Sequence, residues 1–179
     1  MTNDIILDAL GRVHELVPAV LKGLIREDVL WRPDGGSNSI GWLIWHLTRV
    51  EDDHLASLSS RKQVWETGGF REKFNLPYPE SSVGFGMSSD DVAKFDIASS
   101  DLLIDYATAV AKQSHEVIAK LAEKDFAKII DCNWNPPVTV AARLVSVMVE
   151  TAQHIGQAAY VRGLRERAIG RESGWRGYV

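Results

Sequence analysis

Glu150 and His154 are the side chains whose types and spacing point most directly to chemistry. They lie four residues apart in 143–163, where apolar residues recur at helical intervals. Residues four apart share one face of a helix, about one turn from each other. A buried, ionised carboxylate must be paired, neutralised or bound to a metal. The pair therefore predicts either part of a divalent metal site or an ordinary contact that stabilises the helix.

His46 is the candidate for a third ligand, because it falls on the apolar line of a second helical segment. A lone histidine on such a line is more often a hydrogen-bonded core residue. Together with Glu150 and His154 it would complete a set of the kind that bundle cores build from facing helices. Three protein ligands leave positions for water or substrate, as in catalytic zinc sites. The same set suits ferrous iron, so the ligand types do not fix the metal.

The remaining histidines and a nearby carboxylate are weaker candidates. His54 follows His46 by eight residues, about 12 Å along a helix, which is too far to share one ion. His14 and His115 fall outside the apolar lines of their helices, so we expect both to be solvated. Asp53, like the two acidic residues before it, is expected on a solvent-facing side of its helix.

Five further side chains have ordinary roles, or none, in this interpretation. Tyr106 could donate to a bound group, but we expect its hydroxyl to have a buried protein partner. Arg162, Arg165 and Arg167 could receive an anion, but we expect a solvated face that complements the helix dipole. Cys132 falls in a turn, and we assign it no role.

Four long amphipathic segments predict the fold. They cover residues from about 3 to 24, from Ser37 or Asn38 to 60, from about 101 to 123, and from a Thr139 N-cap through 163. Pro18 should kink or break the first of them. No strand is predicted. The sequence thus indicates an all-α four-helix bundle with a long crossover between helices 2 and 3.

The crossover, residues 61–100, is rich in glycine, proline and aromatic side chains. Loops of this length are uncommon and often functional. We expect it to fold back over one end of the bundle, with a short helix near 89–95; a plain connector is the alternative. The domain prediction is a bundle over 1–165 followed by a C-terminal tail over 166–179.

Composition limits the classes of function. Of the 179 residues, 45% are hydrophobic and 25% are charged, as in ordinary soluble proteins. The net charge of -4 argues against a nucleic-acid partner. The N-terminus lacks a secretory signal, and no apolar run approaches the roughly 20 residues of a membrane helix. The single cysteine excludes an internal disulfide. We therefore expect a cytoplasmic protein without a membrane partner.

Two helical motifs carry a resemblance to a known family. The segments SIGWLIWHL, before and including His46, and ETAQHIGQAAYVRG, which starts at Glu150, resemble the DinB/YfiT-like superfamily of metal-binding four-helix bundles. The segments VWETGGF and LPYPESSVGFG resemble one uncharacterised branch of it. The resemblance spans about residues 5–165 and is most specific in the two histidine-bearing helices.

The resemblance implies a ligand set. Many members carry a second histidine where this sequence has Glu150, and the glutamate matches the mycothiol-dependent maleylpyruvate isomerase branch. Carried over to this chain, the metal ligands are His46, Glu150 and His154. Zinc is the implied metal, and nickel, iron or manganese also fit. Members often pair through helix faces, which implies a homodimer.

The implied activity is that of a metal-dependent thiol S-transferase or isomerase. A low-molecular-weight thiol of the mycothiol or bacillithiol type would become a thiolate at the metal and attack a small electrophile under the crossover. The alternative is a non-catalytic, stress-associated metal-binding bundle. An open site facing a cavity under residues 61–87 would favour the enzyme, and a sealed site would favour the alternative. No second motif identifies catalytic or thiol-binding residues.

Overall fold

The fold is that of a helical bundle, seen here in a computed structural model that describes residues 1–172. Residues 173–179, which form half of the predicted tail, lie outside the described residues. The α-helices are α1 (Thr2–Leu21), α2 (Arg26–Leu30), α3 (Ile40–Ser59), α4 (Val64–Thr67), α5 (Phe70–Phe74), α6 (Ser89–Ala93), α7 (Asp101–Ile118) and α8 (Val140–Ala168).

The four long helices, α1, α3, α7 and α8, form the bundle. Helix α3 packs against α8 and α7, and α1 packs against the same two helices. Helices α1 and α3 therefore lie on one diagonal, and α7 and α8 on the other. The prediction of an all-α four-helix bundle with a long crossover is confirmed.

Side-chain caps fix the start of the two helices that carry the candidate ligands. Ser39 caps α3, since its Oγ accepts a hydrogen bond from the Trp42 amide at 3.2 Å. The helix begins at Ile40, so the predicted start at Ser37 or Asn38 was two or three residues too early. The predicted cap of α8 is confirmed, because Thr139 Oγ1 accepts from the Ala142 amide at 3.2 Å.

Three helix boundaries differ from the prediction. Helix α1 continues through Pro18 to Leu21, so the proline removes one hydrogen bond, to the carbonyl of residue 14, without ending the helix. Helix α7 ends at Ile118, and a separate 3-10 turn, Glu123–Asp125, follows it. Helix α8 extends beyond residue 163 to Ala168, so its last turns include part of the arginine-rich segment.

A short hairpin precedes α8, where no strand was predicted. Strand β1 (Ile129–Asp131) pairs antiparallel with β2 (Val138–Thr139), and Ile129 lies opposite Thr139. Two- and three-residue strands are too short to show an alternating pattern in a sequence. The hairpin leads the chain directly into the first turn of α8.

The crossover is a folded layer, so the plain-connector alternative is wrong. It contains α4, α5 and α6, the last close to the helix predicted at 89–95. Helices α4 and α5 pack against α7, and α4 also contacts α3. The rings of Trp65, Phe70 and Phe74 lie 5.3, 4.8 and 5.9 Å from the ring of Tyr106 on α7. These aromatic contacts attach the crossover to the side of the bundle.

The hydrophobic core has two clusters of buried side chains. The larger one lies between α3, the crossover and the facing parts of α1, α7 and α8. The smaller one lies where α1 and α8 begin and α7 ends, and it includes Leu10, Leu55, Ile118, Leu144 and Val147. Between these clusters α3 and α8 run side by side. Within residues 1–172, no helix is long and apolar enough to cross a membrane.

Candidate metal centre

The structure brings the three predicted ligands together. His46 comes from the second turn of α3, while Glu150 and His154 lie one turn apart on α8. Each residue offers one ligand atom, and the three atoms lie within 4.8 Å of one another. Glu150 Oε1 is 3.2 Å from His46 Nε2 and 3.1 Å from His154 Nε2. Among the described residues, this group could hold a metal ion.

The tautomer of His46 is fixed by the crossover. Its Nδ1 contacts the carbonyl oxygen of Val83, which can only accept a hydrogen bond, so Nδ1 carries the proton. Burial lowers the pKa of His46 below its usual value, and the ring is therefore neutral at pH 7. Nε2 then presents a lone pair towards Glu150. Such a second hydrogen bond is the usual way that proteins orient a metal-binding imidazole.

His154 is held in the same way from its own helix. Its Nδ1 lies 2.8 Å from the side-chain oxygen of Gln157, an acceptor, so the tautomer with its proton on Nδ1 fits this contact and leaves a lone pair on Nε2. In that form two imidazole nitrogens and a carboxylate oxygen face one another, whereas a proton on either Nε2 would make the same contact a hydrogen bond to Glu150. The two measured separations are close to the edge of a tetrahedral zinc site, about 3.3 Å for bonds near 2.0 Å. The donor set fits a divalent cation.

Gly84 allows the crossover to approach His46 this closely. Its φ is +95°, a conformation that side chains rarely adopt, and a Cβ there would lie 2.7 Å from His46 Nδ1. The same Cβ would lie 3.0 Å from the ring of Trp42, which stacks on His46 at 4.7 Å between centroids. Only glycine leaves room for the backbone to contact the imidazole here.

Exposure differs among the three donors. His46 is 4% exposed, whereas the side chains of His154 and Glu150 are 15% and 35% exposed. The group is therefore covered on the α3 side and open on the α8 side. A site that is partly open can admit a further ligand, unlike a sealed structural site.

Two cavities lie near the group. One, of about 340 Å³, is under the crossover between Trp45, Trp65 and Tyr78, but none of the three donors lines it. The other, of about 510 Å³, lies between α3, the hairpin and α8, and its lining includes His54 and Arg143. His54 is two turns from His46, and Arg143 is two turns from Glu150. None of the three donors lines this second cavity either. The arrangement that would favour the enzyme, an open site facing a cavity under residues 61–87, is thus not seen among the described residues.

Several acidic and basic residues are more buried than predicted. Glu51 and Asp52, expected on solvent-facing sides, are 1% and 0% exposed. His14, expected to be solvated, is half-buried, and its Nε2 lies 2.9 Å from Glu51 Oε2. The prediction failed because each polar residue was judged from its own helix, while its partner comes from another. His115 is exposed, as predicted.

The environments of Tyr106 and Asp53 agree with the roles expected from the sequence. Tyr106 is fully buried, and its hydroxyl donates to Asp52 Oδ2 at 2.8 Å, as expected of an ordinary buried partner. Cys132 is a free, exposed cysteine. Asp53 is 40% exposed and accepts a hydrogen bond from the Gln63 amide at 2.8 Å.

The predicted solvated arginine face is largely wrong. Arg162 is 6% exposed, binds Glu166 at 2.9 Å and donates to the Ala19 and Val20 carbonyl oxygens. Arg165 binds the buried carboxylate of Asp28 at 2.8 Å. These contacts tie the end of α8 to α1 and α2. Of the three arginines, Arg167 alone is exposed.

Comparisons with known proteins agree with this architecture. A family model described as the DinB superfamily matches residues 9–158. A conserved protein from Enterococcus faecalis, known from its crystal structure, is 29% identical, and the match covers 94% of this chain and 97% of that one, with a TM-score of 0.86. A search of curated proteins found no match.

Proposed function

The chain belongs to the DinB superfamily, and from this premise we propose that it is a metal-dependent thiol S-transferase or isomerase. His46, Glu150 and His154 would hold one divalent cation, with zinc as the first expectation and nickel, iron or manganese as alternatives. The substrates would be a low-molecular-weight thiol of the mycothiol or bacillithiol type and a small electrophile. Such thiols are held reduced in the cytoplasm, which is the compartment that we propose.

One observation carries the proposal. Three lone pairs converge in the groove between α3 and α8, at 3.1 and 3.2 Å, and both imidazole Nδ1 atoms already have acceptors. In a purely structural cluster the facing atoms would alternate donors and acceptors. Facing acceptors are satisfied by a metal ion between them, and otherwise by a proton on one imidazole Nε2. The exposed side of Glu150 supports a catalytic site over a sealed structural one.

The metal would supply Lewis-acid chemistry, stabilising a thiolate at neutral pH. This chain's residues would do the remaining work. His46 and His154 keep their protons on Nδ1, so neither competes with the cation at Nε2. Trp42, stacked on His46, excludes water from the covered side of the group. The 510 Å³ cavity along α3 and α8 offers space for the body of a substrate.

Charge in that cavity supports a polar substrate. Arg143 contributes a guanidinium and His54 an imidazole, and their nearest atoms are 3.3 Å apart. Burial lowers the pKa of His54, with the neighbouring Arg143 as a second cause, so the ring is neutral at pH 7. Arg143 therefore supplies the positive charge of the cavity, whose lining also includes the carboxylates of Asp53 and Asp131. A lining with charges of both signs suits a ligand with several polar groups.

Metal content is the first test. Untagged protein should contain about one equivalent of a divalent metal, and His46→Ala should lose most of it. His115→Ala removes an exposed histidine outside the group and should keep the wild-type content. Equal metal in both variants, measured by mass spectrometry of the purified proteins, would end the proposal.

Activity is the second test. Wild-type protein should accelerate conjugation of one thiol from a panel (mycothiol, bacillithiol, coenzyme A, glutathione) to monochlorobimane, and a chelator should abolish the acceleration. Bound metal without turnover for any thiol would favour the alternative, a non-catalytic metal-binding bundle.

We also propose a homodimer. The resemblance implies pairing through helix faces, and α8 carries exposed apolar side chains at Val145, Val149 and Tyr160. Analytical ultracentrifugation should give twice the mass of the 19.9 kDa chain. A monomer at all concentrations would contradict this.

A further inference from the structure

Arg49 is an unusual residue for the interior of a bundle. It is 0% exposed and lies on α3, three residues after His46. Arginine is almost never fully buried unless its charge is paired. The metal-centre proposal gives Arg49 no role, because its hydrogen bonds, ion pair and ring contact within residues 1–172 do not involve the three donors.

The Arg49 guanidinium is surrounded by partners from three elements. Its Nη1 lies 3.8 Å from the buried carboxylate of Asp52 and donates to Gln63 Oε1 at 2.7 Å. The same atom lies 3.3 Å from the Tyr106 hydroxyl, and the guanidinium carbon lies 4.7 Å from the centre of the Trp65 ring. With its charge balanced and its position fixed on several sides, the guanidinium is a rigid donor.

One remaining donor of Arg49 points to the crossover backbone. Its Nε donates to the carbonyl oxygen of Ser82 at 3.2 Å. The next residue, Val83, provides the carbonyl oxygen that accepts from His46 Nδ1. Consecutive peptide groups are therefore held by α3 at two points, Arg49 and His46, one turn apart on the same helix. Gly84 follows and allows the close approach.

We infer that Arg49 is a positioning residue for the metal centre, which it serves by fixing the Ser82–Val83 peptide so that the next carbonyl group, that of Val83, meets His46. The inference rests on the proposed function, since it concerns how that site is kept ready. When Arg49 holds the Ser82 carbonyl, the Val83 carbonyl is directed at Nδ1, and the lone pair of Nε2 stays in the donor group. Second hydrogen bonds of this kind change metal affinity by about 10- to 100-fold.

A matched pair of arginine-to-lysine variants tests the inference. Arg49→Lys keeps a buried positive charge for Asp52 but lacks the fork that reaches Ser82 as well. Arg162→Lys is the control, because Arg162 is also buried, also pairs with a carboxylate and also donates to backbone carbonyls, but far from His46. Cobalt(II) is the probe, since its visible absorption reports both affinity and coordination in full-length protein.

The expected result is a loss of about tenfold in cobalt affinity for Arg49→Lys, with an altered absorption spectrum, and no change for Arg162→Lys. Proton NMR of metal-free protein should show a slowly exchanging His46 Nδ1–H in the wild type and in Arg162→Lys. That signal should be weakened or absent in Arg49→Lys.

Three outcomes would overturn the inference: unchanged cobalt affinity in Arg49→Lys, equal losses in both variants, or an unchanged His46 Nδ1–H signal. If wild-type protein fails to bind cobalt, the proposed function falls. The NMR comparison, which needs no metal, would then still decide whether Arg49 holds the peptide against His46.

Discussion

Helix α3 carries two buried polar clusters that are built in different ways. In the Arg49–Asp52–Tyr106 cluster, donors face acceptors: Asp52 accepts from the Tyr106 hydroxyl at 2.8 Å and from two backbone amides. In the His46–Glu150–His154 group, three acceptors face one another. The first cluster is complete with protein atoms alone. The second needs a metal ion, or a further proton on an imidazole, to satisfy its facing atoms, and this difference separates a structural network from a candidate site.

The largest expected effect comes from breaking the complete cluster. Asp52→Ala removes the acceptor for two crossover amides and the Tyr106 hydroxyl, and it leaves the buried charge of Arg49 without a partner. The free energy of unfolding should fall by about 3–5 kcal/mol, the range for a broken buried ion pair. Urea denaturation measures it, and a fall below about 1 kcal/mol would mean that the cluster is not a structural network.

The second-largest effect comes from the His46–Glu150–His154 group, and it concerns metal affinity and not the stability of the fold. Glu150→Gln should lower metal affinity at least about 100-fold, or about 2.7 kcal/mol, because it removes a charged ligand. The free energy of unfolding without metal should stay the same or rise, since an amide can donate to His46 Nε2. Calorimetric titration with zinc and urea denaturation in chelator give both numbers. A large fall in the free energy of unfolding without metal would mean that Glu150 belongs to a structural network and not to a metal site.

Tyr106→Phe sharpens the comparison on the structural side. It removes one hydroxyl that donates to Asp52 and lies 3.3 Å from an Arg49 donor, while the ring contacts with the crossover remain. We expect a loss of about 1–2 kcal/mol in unfolding free energy and no change in zinc affinity. If the free energy of zinc binding fell by more than the free energy of unfolding, the two clusters would be energetically coupled.

The smallest effect is expected at Gln157. Its side-chain oxygen accepts from His154 Nδ1 at 2.8 Å, but in an exposed position where water can replace it. Gln157→Ala should weaken zinc binding by less than about tenfold and leave the unfolding free energy within about 0.5 kcal/mol. A loss as large as that of Glu150→Gln would show that the open side of the group is less solvated than its exposure indicates.

The sequence predicted the candidate group better than the structural network, for a physical reason. Glu150 and His154 are separated by one helical turn, and His46 lies on an apolar line, so local periodicity made all three candidates. The bundle architecture and the family resemblance joined them into one ligand set. Asp52 and Arg49 also lie one turn apart, but their main partners come from residues 63–65, 82 and 106. Long-range partners of this kind leave no periodic signal.

The same limit explains the other failures. His14 was expected in solvent because its own helix gives no reason for burial, and only the approach of Glu51 from α3 changes that. The arginines near the end of α8 were expected on a solvated helix end. Their partners, Asp28 and the carbonyl groups of α1, are distant in sequence and could not be recognised from the helix alone. The hairpin before α8 was missed because its strands are too short to alternate.

A zinc-soaked crystal, measured at the zinc absorption edge, tests the central claim most directly. The account predicts one strong anomalous peak, bonded at about 2.0–2.2 Å to His46 Nε2, His154 Nε2 and a Glu150 carboxylate oxygen. A peak bound elsewhere, or no peak at these three atoms in fully soaked crystals, would contradict it.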